Sequence, residues 1–272
     1  MMEARLQRRI QRYGWDRAAK GYETYWRLQI APAQRCLLDM AALSRGERVL
    51  DVACGTGLVT LAAAEAVGPA GYVLGTDISE EMVLRSRRHA VARALHNIQF
   101  ERAEAAETGL PTSGFDAALC SLGLMYVPDP VAALCAMRRS LKPGGRLGAA
   151  VWGQRDRCGW AGIFPVVDAR VQSDVCPMFF QLGTGDALRM AMTAAGLENI
   201  EVERIATRLE YGTAADAIGA AFYGGPVALA YSRFDEQTRL EAHAEYLATI
   251  EPYRTGDGYS IPGEFVVARG TS

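Results

Sequence analysis

Short hydrophobic runs alternate with longer amphipathic segments from residue 46 onward. The runs predict strands at 47–52, 71–76, 97–102, 115–120 and 145–151, and the amphipathic segments predict helices at 57–67, 79–94 and 129–141. Strands that alternate with helices through short links form a parallel sheet with right-handed crossovers. We therefore expect an α/β fold with a Rossmann-like, mostly parallel sheet and helices on both faces.

The remaining segments show different patterns. Residues 3–45 have helical spacing and many aromatic side chains, whereas 153–183 is rich in glycine and proline and predicts a loop. A helix is predicted at 184–195 with Thr184 as its N-cap, and a strand at 199–206. Residues 213–250 are largely helical with a break at 224–226, and 262–268 predicts a last, antiparallel strand. The sheet is then expected to have seven strands.

This pattern divides the chain into four parts. A core spans 46–206 and is completed by the last strand in 261–272, while N-terminal helices (1–45) and a helical insertion (207–260) flank it. Insertions on α/β sheets commonly cover the ligand crevice. The N-terminal segment has three interpretations: packing against the domain edge, a lid over a ligand, or a helix at a membrane surface, since its polar face is basic.

Composition narrows the class of protein. Half of the residues are hydrophobic and the formal charge is −2, which provides no global field for nucleic acid or acidic membranes. No apolar run approaches about 20 residues, so we expect no stable membrane insertion. The N-terminal arginines precede no apolar segment or cleavage site, and the six cysteines form no C-x-x-C pair, so we expect no signal peptide and a cytoplasmic location. No metal site is expected.

The turn after the first predicted strand carries Asp51, Gly55 and Gly57, and a second acid, Asp77, ends the next predicted strand. A strand, a glycine turn that opens a helix, and an acid on the next strand are typical of an α/β sheet that binds a nucleoside.

The turn lacks the features that bind phosphate. A dinucleotide fold requires a third glycine where this chain has Thr60, and a P-loop requires a lysine after the turn. The loop therefore favours a nucleoside without phosphate but with an amino-acid tail, namely S-adenosylmethionine. Thr60 also disfavours a nicotinamide-dependent reductase.

The chain resembles class I S-adenosylmethionine-dependent methyltransferases, most of all the ubiquinone/menaquinone-biosynthesis C-methyltransferase family. The similarity is close over about 45–152 and is carried by Val49-Leu50-Asp51-Val52-Ala53-Cys54-Gly55-Thr56-Gly57, Gly75-Thr76-Asp77-Ile78-Ser79 with Met82, Ala103-Glu104-Ala105-Ala106-Glu107 before Leu110-Pro111, Phe115-Asp116, Gly123-Leu124-Met125-Tyr126 before Pro128-Asp129, and Leu141-Lys142-Pro143-Gly144-Gly145-Arg146. Tyr13-Gly14-Trp15-Asp16 with Tyr22 is similar to the family's N-terminal helix.

The resemblance implies roles for individual residues. Gly55 and Gly57 would lie beside the methionine moiety, Asp77 would bind the ribose hydroxyls, and Glu104 would contact the adenine amine, although the family more often has aspartate there. The complete set of expected cofactor contacts is Tyr22, Asp51, Ala53, Gly55, Thr56, Gly57, Asp77, Ile78, Met82, Glu104, Ala105, Ser121 and Leu122.

The acceptor is the open question. Methyl transfer from a sulfonium is an in-line displacement and requires a base only if the acceptor must lose a proton. His243 in the insertion is a candidate base, whereas His89 and His96 are expected at the surface, far from the strand ends. Tyr126, Trp152, Tyr223 and Tyr231 are candidates for an apolar acceptor pocket.

The expected reaction is O-, C- or N-methylation of a small apolar or aromatic molecule, with the insertion as a cap over the acceptor. Nucleic acid is disfavoured because Ser121-Leu122-Gly123-Leu124 replaces the N-P-P-Y type of motif. The alternative is a non-catalytic protein that binds the cofactor or a metabolite, and a homodimer is possible.

Overall fold

The computed structural model describes residues 4–105, 114–171 and 178–272, which contain one mixed sheet. Its strands are β1 (Arg48–Val52), β2 (Tyr72–Asp77), β3 (Ile98–Arg102), β4 (Phe115–Ser121), β5 (Leu141–Trp152), β6 (Glu198–Tyr211), β7 (Arg254–Thr255) and β8 (Gly258–Thr271). The order is β3-β2-β1-β4-β5-β8-β6, and the two-residue β7 pairs with β8. The first five strands are parallel, and β8 runs antiparallel to both β5 and β6.

The described residues also form helices, most of which pack against this sheet. They are α1 (Ala4–Ala18), α2 (Tyr22–Ala41), α3 (Leu58–Val67), α4 (Glu80–Ala92), α5 (Pro130–Ser140), α6 (Ile163–Asp168), α7 (Ala187–Ala194), α8 (Ala214–Ile218), α9 (Ala228–Tyr231) and α10 (Glu236–Ile250). Ser79 caps α4 by accepting the N–H of Met82, as its position before two acids predicts. The expected α/β class with an antiparallel last strand is confirmed. Among the described residues, no helix is long and apolar enough to cross a membrane.

The last two long strands extend further than the sequence predicts. They pair from Glu198↔Thr271 to Tyr211↔Tyr259, so five residues of the predicted insertion belong to β6. The sequence does not predict this extension because Pro262 lies within β8, and proline rarely occupies a central strand. The structure accommodates it because pairing of β8 with β5 ends at Trp152↔Phe265, which leaves only one edge of β8 paired at Pro262.

The predicted loop 153–183 contains helical turns in its described part. Short 3-10 turns at Arg155–Arg157 and Gly159–Gly162 lead into α6, while 172–177 lie outside the described residues. The buried rings of Trp160, Phe164 and Phe179 pack together at centroid distances of 4.9–5.9 Å, which supplies the burial that orders this segment. Thr184 does not cap α7: its hydroxyl donates to the carbonyl of Phe180, and the helix begins after Asp186.

The two N-terminal helices have different surroundings. The longer, α2, packs against β4, β5, β6 and β8, and its Trp26 indole donates to the carbonyl of Ala220 at 3.2 Å. Gln29 exchanges two hydrogen bonds with the backbone of Glu210, at 2.7 and 3.0 Å. These contacts fix α2 to the sheet. Of the two helices in the N-terminal segment, α1 is therefore the one that fits the lid interpretation.

Candidate functional site

The carboxyl ends of β1, β2 and β4 open into a crevice of about 820 Å³, part of it open solvent. Open α/β sheets commonly bind their ligands in a crevice at the carboxyl ends of adjacent parallel strands, which makes this crevice the candidate site. Its lining includes most of the cofactor contacts expected from the sequence: Tyr22, Ala53, Gly55, Asp77, Ile78, Met82, Glu104, Ala105, Ser121 and Leu122. Residues 106–113, with the Ala106-Glu107 and Leu110-Pro111 of the resemblance, lie outside the described residues.

The glycine turn holds the backbone in left-handed conformations. Gly55 has φ +56° and Gly57 has φ +90°, and the non-glycine Ala53 also has φ +57°. An L-residue rarely adopts such angles, and those that do cluster at functional sites. Gly57 is not among the crevice-lining residues; a Cβ there would lie 3.1 Å from the Cβ of Ser86, so this glycine permits close packing of the turn on α4.

Asp77 connects the ends of β1 and β2. One carboxylate oxygen accepts the backbone N–H of Gly55 at 2.8 Å, and the other accepts that of Ser79 at 2.8 Å. Burial raises the pKa of Asp77 to about 6, although these backbone donors oppose the rise. Each oxygen retains a lone pair for a further donor such as a hydroxyl group.

Asp51 lies buried beneath the turn. Its Oδ2 accepts the hydroxyl of Thr60 at 2.6 Å, and its Oδ1 has no hydrogen-bond partner within the described residues. Burial raises the pKa of Asp51 to about 7, with a smaller contribution from Asp77 and opposition from the Thr60 hydrogen bond. A buried acceptor without a partner is costly, so Asp51 is suited to a donor group that a ligand brings.

A second, smaller cavity of about 280 Å³, part of it open solvent, adjoins the turn. Three buried polar atoms without partners in the described structure belong to its lining residues: Asp51 Oδ1, Thr56 Oγ1 and Ser121 Oγ. Tyr22 and Gln34 of α2 complete its wall. Since Tyr22, Ala53, Gly55 and Ser121 line both cavities, the two meet there. A carboxylate and two hydroxyls fit an ammonium and carboxylate pair better than an apolar group.

Helix α1 forms a wall of the crevice, although the cofactor contacts expected from the sequence include no residue of this helix. Arg8, Gln11 and Trp15 line the crevice, and Arg8 Nε lies 3.3 Å from Glu104 Oε2. The expected adenine contact therefore already has a charged partner from α1. The spacing of these three residues at i, i+3 and i+7 marks one helix face, a signal that was present in the sequence.

Two polar contacts hold the N-terminal helices beside the crevice. Ser79 donates its hydroxyl to Asp16 of α1 at 2.6 Å. His89 Nδ1 lies 3.1 Å from the Thr56 carbonyl and 3.2 Å from Glu23 Oε1 of α2. The expectation that His89 lies far from the strand ends is wrong, because α4 folds back along the glycine turn.

The candidate acceptor residues are separated in space. Tyr126 lines the crevice together with Val127 and Pro128, and its ring lies 5.0 Å edge-on from that of Trp15. Trp152 is buried, with its ring 4.8 Å from that of Trp160. Only Tyr126 of the four candidates is placed to contact a molecule in the crevice.

Tyr223, Tyr231 and His243 form a hydrogen-bonded chain within the insertion. The Tyr223 and Tyr231 hydroxyls are 2.9 Å apart, and Tyr231 Oη lies 2.9 Å from His243 Nε2. Partial burial, followed by the charge of Arg239, lowers the pKa of His243. His243 is not among the residues that line the crevice, so the structure gives it a partner other than an acceptor.

Cys54 is the one thiol within the glycine turn. It is buried, and burial raises its pKa well above the usual value, with further contributions from Asp77 and Asp51. A thiol with a raised pKa is a poor nucleophile, which agrees with a lining role.

Known proteins similar to this chain share its core. Residues 49–145 match the family model described as a methyltransferase domain. A demethylmenaquinone methyltransferase of Listeria monocytogenes is 36% identical over 47% of this chain and 54% of its own length. The aklanonic acid methyltransferase of a Streptomyces strain is 39% identical over 46% of this chain and 58% of its own length. The chain thus spans about half the length of the curated relatives it matches.

The similarity of the fold extends further along the chain. Phosphoethanolamine N-methyltransferase 2 of Haemonchus contortus, solved with phosphomonomethylethanolamine and S-adenosylhomocysteine, has a TM-score of 0.60 at 15% identity. The match covers 94% of this chain and 57% of that chain. At this identity the comparison concerns the fold alone, and it includes the segments that flank the matched domain.

Proposed function

We propose that this chain transfers a methyl group from S-adenosylmethionine to a small organic acceptor, a proposal supported by the match of residues 49–145 to the methyltransferase domain model. The observation that carries the proposal is the pair of adjoining cavities. One has acids suited to a nucleoside, and the other has three unpartnered polar atoms suited to an amino-acid tail.

The nucleoside would lie in the larger cavity. Asp77 would accept the ribose hydroxyls through its remaining lone pairs, while Ile78 and Met82 provide apolar surface for adenine. Glu104 would accept the adenine amine and keep its contact with Arg8, since a carboxylate can accept several hydrogen bonds. We propose that α1 then acts as a lid over the bound nucleoside.

The methionine tail would lie in the smaller cavity. Its ammonium would donate to Asp51 Oδ1, and its carboxylate would accept the hydroxyls of Thr56 and Ser121. This arrangement satisfies all three buried atoms at once. It also requires no basic residue in the turn, as expected for a ligand without a pyrophosphate.

The acceptor would enter beside Trp15, Tyr126 and Pro128. These side chains favour a planar apolar or aromatic molecule, and two relatives are named for demethylmenaquinone and aklanonic acid. We propose an acceptor of this general kind.

The chain would promote transfer mainly by alignment and by exclusion of water. The cofactor supplies an activated methyl group when bound, so the residues around it need only orient the acceptor in line. Among the described crevice-lining residues there is no histidine. Burial, followed by the charges of Asp77 and Glu23, raises the pKa of Tyr22, which makes this phenol a poor base. We therefore propose that the acceptor reacts through a group that is already nucleophilic at neutral pH.

Transfer of label tests the proposal. The chain is incubated with S-adenosylmethionine carrying a labelled methyl group and with a panel of quinols, phenols, carboxylic acids and amines. We expect label in at least one aromatic member and loss of transfer in Asp77→Ala. Cofactor binding without transfer to any compound or to a metabolite extract would favour the non-catalytic alternative, and absence of binding would contradict both.

A further inference from the structure

Helix α1 has two faces with different environments. Arg8, Gln11 and Trp15 face the crevice, whereas a second set of residues at i, i+3, i+4, i+7 and i+11 spacing lies on the opposite side. We name this second set the outer face of α1; its members are Leu6, Arg9, Ile10, Tyr13 and Arg17. The helix therefore separates the crevice from a surface that the proposed reaction does not use.

The outer face forms a groove with α9. Leu229 and Arg233 supply the opposite wall, and Asp16 lies within the groove. Leu6 is 48% exposed and Tyr13 is 46% exposed, and the two lie on the same groove, whereas scattered single exposed side chains would carry no meaning. The lining of the groove thus combines exposed apolar side chains with guanidinium groups.

The charge of this surface is strongly one-sided. Helix α1 carries the five arginines 5, 8, 9, 12 and 17 and the single acid Asp16, while the whole chain has a formal charge of −2. Asp16 accepts the hydroxyl of Ser79, and Arg8 pairs with Glu104 across the crevice.

The other arginines have no such partner. Within the described residues, Arg9 and Arg12 contact the ring of Tyr13 at 5.9 and 5.6 Å and form no ion pair, and neither do Arg5, Arg17 and Arg233. The basic patch is therefore a local feature, in contrast to the net charge of the chain.

We propose that the outer face of α1, with Leu229 and Arg233, docks on an anionic lipid bilayer surface. Helices that lie in a membrane interface combine a basic polar face with apolar and aromatic side chains that enter the headgroup region. Leu6 and Tyr13 would enter that region, and the arginines would contact anionic headgroups. Charge complementarity decides the occupant: an acidic protein groove would pair with the arginines but would not need two exposed apolar side chains between them.

Vesicle flotation tests this proposal independently of methyl transfer. The full chain is mixed with vesicles of phosphatidylcholine alone or with one-third phosphatidylglycerol. We expect binding to the anionic vesicles alone, and its loss when salt is raised from 0.05 to 0.5 M, because screening shortens the reach of surface charges. Each arginine near an anionic surface contributes about fivefold in affinity, so Arg9→Gln with Arg233→Gln should weaken binding about 25-fold.

Matched variants separate lipid docking from general attraction to polyanions. Leu6→Gln should weaken vesicle binding about fivefold because it removes apolar contact. Leu28→Gln changes an exposed leucine of α2, and Arg93→Gln changes an exposed arginine that follows α4 and pairs with Glu65; both should bind as the parent chain does. Circular dichroism on every variant checks that the fold is retained.

Three outcomes would overturn the proposal. The first is no binding to anionic vesicles. The second is equal weakening by Leu28→Gln or Arg93→Gln. The third is binding that depends on the arginines but not on Leu6 and that a duplex RNA matches in affinity, which would assign the patch to nucleic acid.

Discussion

The hydroxyl of Thr60 donates a 2.6 Å hydrogen bond to the carboxylate of Asp51 in the interior of the protein. Both residues are at most 1% exposed, and Thr60 occupies the position where a dinucleotide fold has its third glycine. The residue that disfavours a pyrophosphate ligand is therefore also the partner of the first acid in the turn. Its methyl group packs near Gly75, where an added Cβ would lie 3.0 Å from Thr60 Cγ2.

Replacing Thr60 tests the contribution of this hydrogen bond. Thr60→Val keeps the shape of the side chain but leaves Asp51 without a donor, which we expect to cost about 1–3 kcal/mol of unfolding free energy. Thr60→Ser keeps the donor and should lose less. Urea denaturation measures both variants, and an equal loss in the two would assign the effect to packing instead.

The stability of the protein should depend on the ionisation of Asp51. Its native pKa is raised from 3.8 to about 7, so the native state holds this proton more tightly than the unfolded state does. Between about pH 4 and pH 7 the native state then binds more protons, and the unfolding free energy falls as pH rises through that window. Above about pH 7 the contribution becomes constant.

Asp51→Asn isolates this contribution from that of other groups. Between pH 5 and pH 7 the unfolding free energy of the variant should fall less steeply than that of the parent chain. The two slopes should differ by up to about 1.4 kcal/mol per pH unit. Urea denaturation at several pH values provides the two curves, and Asp39→Asn, at an exposed position of α2, is the control. Parallel curves for Asp51→Asn and the parent chain would contradict the raised pKa.

Gly123 should be required for close approach of the crevice walls. A Cβ at this position would overlap that of Ala53 and lie 2.9 Å from Cys120 Sγ, although its φ of −103° suits any residue. We expect Gly123→Ala to cost about 1–3 kcal/mol through overpacking and to weaken cofactor binding.

A second substitution in the same contact makes this prediction specific. Ala53→Gly removes the overlapping methyl group and relieves a positive φ, so Gly123→Ala with Ala53→Gly should recover part of the lost stability and binding. The contact with Cys120 keeps the recovery incomplete. Thermal unfolding and calorimetry of the four members of the cycle measure it, and strictly additive effects would refute the overlap.

His243 should not act as the base of the reaction. Its Nε2 contacts Tyr231, and the described crevice lining does not include it. We expect His243→Asn to leave the pH profile of methyl transfer unchanged, with any loss confined to stability. A change in the profile that Tyr231→Phe does not reproduce would restore His243 as a candidate.

Much of the core and of the site is predictable from the sequence because the strands and the glycine turn, which local patterns predict, also carry the residues of the site. Asp51 and Asp77 lie at the carboxyl ends of buried strands, and parallel strands bring these ends to one edge of the sheet. The fold class follows from the same alternation. The glycine turn after β1 then places Gly55 beside Asp77, and Ser121 reaches the same edge as the last residue of β4.

The rest depends on contacts that connect distant parts of the chain. Nothing local indicates that Arg8 meets Glu104, or that His89 of α4 lies against the carbonyl of Thr56. Pro262 is a strand breaker by local rules, but it is tolerated because β5 has already ended beside it. Side chains whose partners lie far away in sequence thus escape prediction most often.

Calorimetric titration with S-adenosylmethionine, S-adenosylhomocysteine and NAD tests the central claim most directly. We expect the first two ligands to bind, NAD not to bind, and Asp77→Ala to weaken binding by about 1.5–3 kcal/mol, the range for hydrogen bonds to a charged group. The lining of the two cavities supports this order of preference. Tight binding of NAD together with no binding of S-adenosylmethionine would contradict it.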